Sequence, residues 1–199
     1  MKKFELTNEF ITNMFGTKLF RIRALVEFGD VEAGELGGYV EKESNLGHDD
    51  NAWVYGNARV CGDARVCGNA WVYGDAQVSG NALVYGNAWV YDNAWVYGDA
   101  QVSGDARVCG DARVCGNGDY AYAHGFGSVN RTTTFFRLKD GGVGVRCGCF
   151  YGTLAQFRDK IRETHGETKK AQEYLMLADL MELRFEEDEN EVGNRKYVE

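Results

Sequence analysis

Apolar and polar positions repeat with a period of six from Asn51 to Gly116, through eleven consecutive hexads of the form Asn/Asp-Ala-x-Val-x-Gly. Val recurs at 54, 60, 66, 72, 78, 84, 90, 96, 102, 108 and 114, with Ala two residues before each. Gly closes every hexad but one, where Asp92 stands instead. Side chains two residues apart on a strand share a face. Ala and Val of a hexad therefore point to one side, and the residues flanking Val to the other. Small and β-branched residues together suit a narrow packed interior. Gly followed by Asn or Asp tolerates the positive φ of a sharp corner. Each hexad thus predicts one short strand and one corner, and stacked copies predict a solenoid.

These hexads resemble those of left-handed parallel β-helix proteins, the hexapeptide-repeat superfamily. The resemblance implies triangular coils of three hexads each, with the aliphatic and the small residue inside. The expected fold is mainly β: about four coils over residues 38–117. One departure is that Tyr, Cys or Ser follows the Val where the commoner pattern has Gly. Acyltransferases, γ-class carbonic anhydrases and non-enzymatic proteins share the repeat, so it speaks to fold more than to function.

A coil of three hexads stacks equivalent positions of successive coils at about 4.8 Å. Trp53, Trp71 and Trp89 then form one outward column, and Tyr55, Tyr73 and Tyr91 its neighbour. Arg59, Gln77, Trp95 and Arg113 share a second face, and Arg65, Leu83 and Gln101 the third. Six stacked aromatics approach or exceed the few hundred Å² of an ordinary monomer's largest apolar patch. The columns are either a ladder that stabilises adjacent strands or a face covered by a partner subunit or by the chain's own ends. Hexapeptide-repeat proteins are commonly trimers packed face to face, so the resemblance implies a homo-oligomer, with a trimer favoured.

Residues 1–37 read as a β-rich cap, with a strand around Leu19–Val26. Val40 and Leu46 fall three hexads before Ala58 and Ala64, in register with the Ala column, which places the first coil near Gly38. After Gly116 the repeat ends, and 118–185 read as a small α+β domain. Residues 133–138 and 143–150 form a hairpin around Asp140-Gly141-Gly142. Thr153-Leu154-Ala155-Gln156 is a capping box opening a helix that stops at Gly166. A second helix spans about Thr168 to Phe185, with Tyr174, Leu175, Ala178, Leu180 and Met181 at helical spacing. Residues 186–199 read as a polar tail. The segments Arg21–Leu25, Leu36–Leu46, Asn51–Val54, Arg131–Arg137 and Gly148–Thr153 resemble hexapeptide-repeat proteins of phages and prophages. That resemblance implies a viral or mobile-element setting, in which small proteins often interfere with host defence.

The net charge is −8, yet residues 118–170 carry nine bases against five acids. An acidic chain with one basic stretch suits a small anionic ligand and fits long nucleic acid poorly. No apolar run reaches the ~18 residues of a membrane span. The start lacks the apolar core of a signal peptide, so the six cysteines read as reduced thiols of a cytoplasmic protein. Cys61, Cys67, Cys109 and Cys115 take the outward position of the Tyr column, and Cys147 and Cys149 lack metal-ligand spacing. No cofactor or metal is expected.

The acyltransferases of the superfamily use a His base, and residues 51–117 contain no His and no interrupting loop. His48, His124 and His165 lack the convergence that a zinc site requires. An enzyme is therefore not expected, with an acyltransferase the catalytic alternative. His124-Gly125-Phe126-Gly127-Ser128, followed by Arg131, has ligand-binding character: glycines admit an anion, Ser and Arg donate, and Phe126 offers a ring. Arg137 and Arg146, on opposing hairpin strands, add charge. The expectation is a binder that sequesters a small anionic molecule, for instance a nucleotide immune signal. An oligomeric scaffold using the Trp/Tyr face is the alternative.

Overall fold

The computed structural model describes residues 2–127 and 130–186. Beyond Glu186, the expected polar tail lies outside the described residues. The chain opens with an antiparallel hairpin, β1 (Phe4–Thr12) and β2 (Lys18–Ala24), followed by β3 (Leu36–Val40). Each hexad then contributes one short strand. In order these are β4 (Trp53–Val54), β5 (Arg59–Val60), β6 (Arg65–Val66), β7 (Trp71–Val72), β8 (Gln77–Val78) and β9 (Leu83–Val84). They continue as β10 (Trp89–Val90), β11 (Trp95–Val96), β12 (Gln101–Val102), β13 (Arg107–Val108) and β14 (Arg113–Val114).

Parallel pairing steps by three hexads throughout these strands: Trp53 pairs Trp71, Trp71 pairs Trp89, and Trp89 pairs Arg107. Three faces result. One holds β4, β7, β10 and β13, another β6, β9 and β12, and the third β5, β8, β11 and β14. The third face continues through β3 and β2 to β1 as a seven-stranded sheet. Every hexad Ala and Val is at most 1% exposed, so the interior is the fully packed core that the period predicted.

The corners carry a second ladder, made of side chains. Asn51 Nδ2 donates to Asn69 Oδ1 (3.1 Å), Asn69 to Asn87 (3.1 Å), and Asn87 to Asp105 (2.9 Å). Asn both accepts and donates, whereas a carboxylate only accepts. Asp105 therefore suits the end of its column. Asp92 takes the corner glycine's place with φ +57°, a left-handed conformation that Asp tolerates better than most residues.

The first coil departs from expectation. Val40 pairs Val60, and Leu46 bridges to Val66, so both align with the Val column rather than the Ala column. The usual spacing returns at Asn51, whose N–H reaches the Gly68 carbonyl. Two extra residues therefore sit in the corner between Leu46 and Asn51. That corner anchors the N-terminus. Lys3 Nζ donates to the carbonyls of Asp50 and Ala52 (both 2.9 Å) and to Asp50 Oδ1 (3.1 Å), beneath the Phe28 ring. Desolvation pulls the buried Lys3 ammonium below its ordinary pKa, while Asp50 acts in the opposite direction. The Phe4 ring stacks on His48 at 4.4 Å.

A meander follows: β15 (Tyr120–Phe126), β16 (Arg131–Arg137), β17 (Val143–Cys147) and β18 (Phe150–Thr153). The expected single strand over 143–150 is two strands, because Gly148 (φ +59°) turns the chain back on itself. Cys147 consequently ends β17, and Cys149 lies in the turn. Helix α1 (Leu154–His165) starts at the predicted capping box: Gln156 N–H donates to Thr153 Oγ1 (3.3 Å), and Thr153 N–H donates to Gln156 Oε1 (2.8 Å). Helix α2 (Lys169–Phe185) is capped by Thr168. Phe135, Phe157, Ile161, Tyr174, Ala178 and Met181 pack together between helices and sheet. Leu180, expected on that face, is 55% exposed.

This sheet caps the last coil. Arg107 N–H donates to Thr134 Oγ1 (2.9 Å), Lys139 N–H donates to the Asp111 carbonyl (3.0 Å), and Phe136 joins the solenoid core. No helix among the described residues is long and apolar enough to cross a membrane.

Candidate ligand cleft

The Trp column does not end as it begins. Trp53 is fully buried, with Phe4 and Phe28 edge-on at 6.3 and 5.3 Å, so the N-terminal segment covers it. Trp71 and Trp89 stay half-buried and stack on each other (6.0 Å, 19°). Next in the column comes Arg107, whose guanidinium lies 4.5 Å over the Trp89 ring. Both faces of Trp89 are therefore occupied, and its edge is what remains for a ligand.

The Tyr column behaves similarly. Tyr73 and Tyr91 stack at 4.8 Å and 2°, and Tyr91 is only 8% exposed. Burial first, and a hydrogen bond with Cys109 second, raise the Tyr91 phenol. Burial beside Glu35 pushes Tyr55 up to about 12. Cys109, expected at the surface, is buried next to Tyr91, and that burial raises its thiol pKa.

Where the Trp face meets the C-terminal sheet there is a cleft of about 470 Å³. Asn87, Trp89, Asp105 and Arg107 form the solenoid wall, and His124, Arg131, Thr132 and Gly148 the opposite wall. His124 Nδ1 lies 2.8 Å from Thr132 Oγ1 and 3.9 Å from Asp105 Oδ2. Arg131 crosses the Gly148 turn so closely that a Cβ there would overlap its guanidinium. Among the described residues, neither Arg107 nor Arg131 is in an ion pair. The cleft thus holds two guanidiniums and an imidazole drawn from three separate segments.

Of the residues singled out in the sequence, His124 and Arg131 line this cleft. Phe126 does not: it ends β15, packs against the C-terminal core, and accepts the Tyr174 hydroxyl at its carbonyl (3.2 Å). Arg137 is buried structurally, donating to the carbonyls of Phe185 (3.0 Å) and Gly141 (3.3 Å) beside Asp119. Arg146 lies 6.0 Å over the Tyr91 ring and bonds the Cys149 carbonyl, outside the cleft lining. Ser128 falls outside the described residues. Arg107, Asp105 and Asn87 were missed, although one more coil beyond Trp89 reaches Arg107. Among the described residues, no group of three or more His, Cys, Asp and Glu side chains is placed to hold a metal ion.

Fold and repeat together define a β-solenoid of the hexapeptide-repeat kind, about four coils long, with an antiparallel sheet and two helices at its C-terminal end. A family model, the YdcK beta solenoid repeat, matches residues 58–74, 76–92 and 100–116. No curated protein matches the chain.

Proposed function

We propose that the protein is a non-enzymatic binder of a small anionic molecule, held in the cleft between the Trp face and the C-terminal sheet. The carrying observation is the convergence of Arg107, Arg131 and His124 on one cleft. Its volume falls within the ~300–1,000 Å³ of ordinary small-molecule sites. Planar guanidiniums suit the paired oxygens of phosphate or carboxylate. Catalysis is not favoured by the imidazole's surroundings. Thr132 and Asp105 both approach Nδ1, so they do not form a nucleophile–base–carboxylate relay across the ring. Hydrogen bonds from two guanidiniums contribute about 1.5–3 kcal/mol each before the costs of association, so these contacts alone support affinity no tighter than about millimolar. Calorimetry with inorganic phosphate and with adenosine monophosphate tests the reading. Heat that Arg131→Ala abolishes supports it. Silence with every anion, alongside turnover of an acyl-CoA, replaces it with the transferase.

A second reading, a scaffold that self-associates or binds a protein, draws on a different surface. Met176, Leu180 and Leu183 lie on one stripe of α2, exposed by 71%, 55% and 67%, and Trp71 and Trp89 are half-open. Light scattering discriminates: a stable oligomer that Leu180→Glu or Trp71→Ala dissociates favours the scaffold, and a monomer rejects self-association.

A further inference from the structure

We infer that the cleft selects a zwitterion: a molecule whose anionic group meets Arg107 and Arg131 while an ammonium or N–H donor at its other end meets Asp105. This rests on the anion-binding reading and adds the second half of the ligand. Asp105 shares the solenoid wall with Arg107, two residues away in the chain. Its Oδ1 accepts from Asn87, and its Oδ2 stands 3.9 Å from His124, beyond hydrogen-bond distance. A carboxylate offers about four acceptor positions, so one bond from Asn87 leaves most of its capacity for a donor. The side chain is half exposed and lines the cleft. Two guanidiniums against one carboxylate leave the walls with a single net positive charge, before the imidazole is counted. That balance fits a phosphate ester carrying an ammonium better than a phosphate ester alone. A lone carboxylate would repel a plain dianion at close range. The corner itself does not require the charge, because Asn occupies the same ladder at Asn51, Asn69 and Asn87.

Two ligands of matched shape separate the possibilities: phosphoethanolamine, and propyl phosphate, in which a methyl replaces the ammonium. Calorimetry on the full chain should show phosphoethanolamine binding roughly tenfold tighter, the order of one charge-assisted hydrogen bond. Asp105→Asn should erase that preference, with propyl phosphate bound at least as tightly as by wild type and the melting temperature unchanged. Arg131→Ala should lose both ligands. Equal binding of the two by wild type, or a preference that survives Asp105→Asn, overturns the zwitterion inference and leaves the anion site standing. Binding of neither overturns the anion reading itself.

Discussion

The two ends of the solenoid meet the same problem and treat it differently. An open coil exposes apolar interior and unpaired strand edges. At the N-terminal end the column starts with Trp53, and the chain closes over it completely: Phe4 and Phe28 pack against the ring, and Lys3 pins the segment to the enlarged corner. At the C-terminal end the column finishes on Arg107, whose backbone is tied to Thr134 while its guanidinium stays at the cleft. One end is a seal and the other is a seal with a cleft beside it. The residue type that terminates a column decides which: an indole gains from complete burial, whereas a guanidinium costs too much to bury unpaired.

That contrast can be broken by substitution. Trp53→Ala should cost about 3–5 kcal/mol in chemical denaturation, as for other fully buried aromatics. Trp53→Phe should cost much less, since the buried indole N–H has no partner among the described residues. Equal effects of the two would mean that the cap does not depend on filling that space. Lys3→Met should cost about 2–3 kcal/mol, because Asp50 and two carbonyls lose their donor. A wild-type denaturation midpoint would show that water replaces the ammonium there.

Alkaline titration probes both ends together. Burial pushes Tyr55, at the N-terminal end, and Tyr174, in the C-terminal domain, up to about 12, and raises Tyr91 as well. The folded chain therefore keeps protons that the unfolded chain releases above pH 10. Stability from this source is complete below pH 10 and declines as pH rises towards 12. Tyrosinate absorbance should lag behind that of free tyrosine and then rise with unfolding. Absorbance that follows an ordinary phenol titration in still-folded protein would contradict the burial of these rings.

Smaller effects belong to the open end. Trp89→Ala should cost about 1 kcal/mol, reflecting a half-buried ring stacked between Trp71 and Arg107. Arg131→Ala should change stability by less than about 0.5 kcal/mol while removing anion binding. A loss at Trp89 as large as that at Trp53 would make the two ends equivalent seals and leave the cleft without its distinction.

Local pattern made much of the fold legible. The hexads announced strand and corner, their resemblance to hexapeptide repeats implied the coil of three hexads, and the Thr153–Gln156 box, Gly166 and Thr168 marked the helix boundaries within a residue. Errors arose where non-local contacts decide. The longer first coil follows from a corner insertion that the arithmetic of three hexads passed over. Leu180 fits the helical period of α2 but faces away from the sheet. Arg137 looked like free charge and is instead held by the carbonyls of Phe185 and Gly141.

The site was half legible for the same reason. His124 and Arg131 were visible as polar groups in a glycine-rich stretch, whereas Arg107, one coil beyond Trp89, was missed. The solenoid itself was written in the chain, because a period of six with Ala and Val in phase is a local rule repeated in every hexad and satisfied by each coil against the next. Which aromatics are sealed and which arginines share a cleft was settled by packing in three dimensions, since those outcomes depend on where segments distant in the chain come to rest.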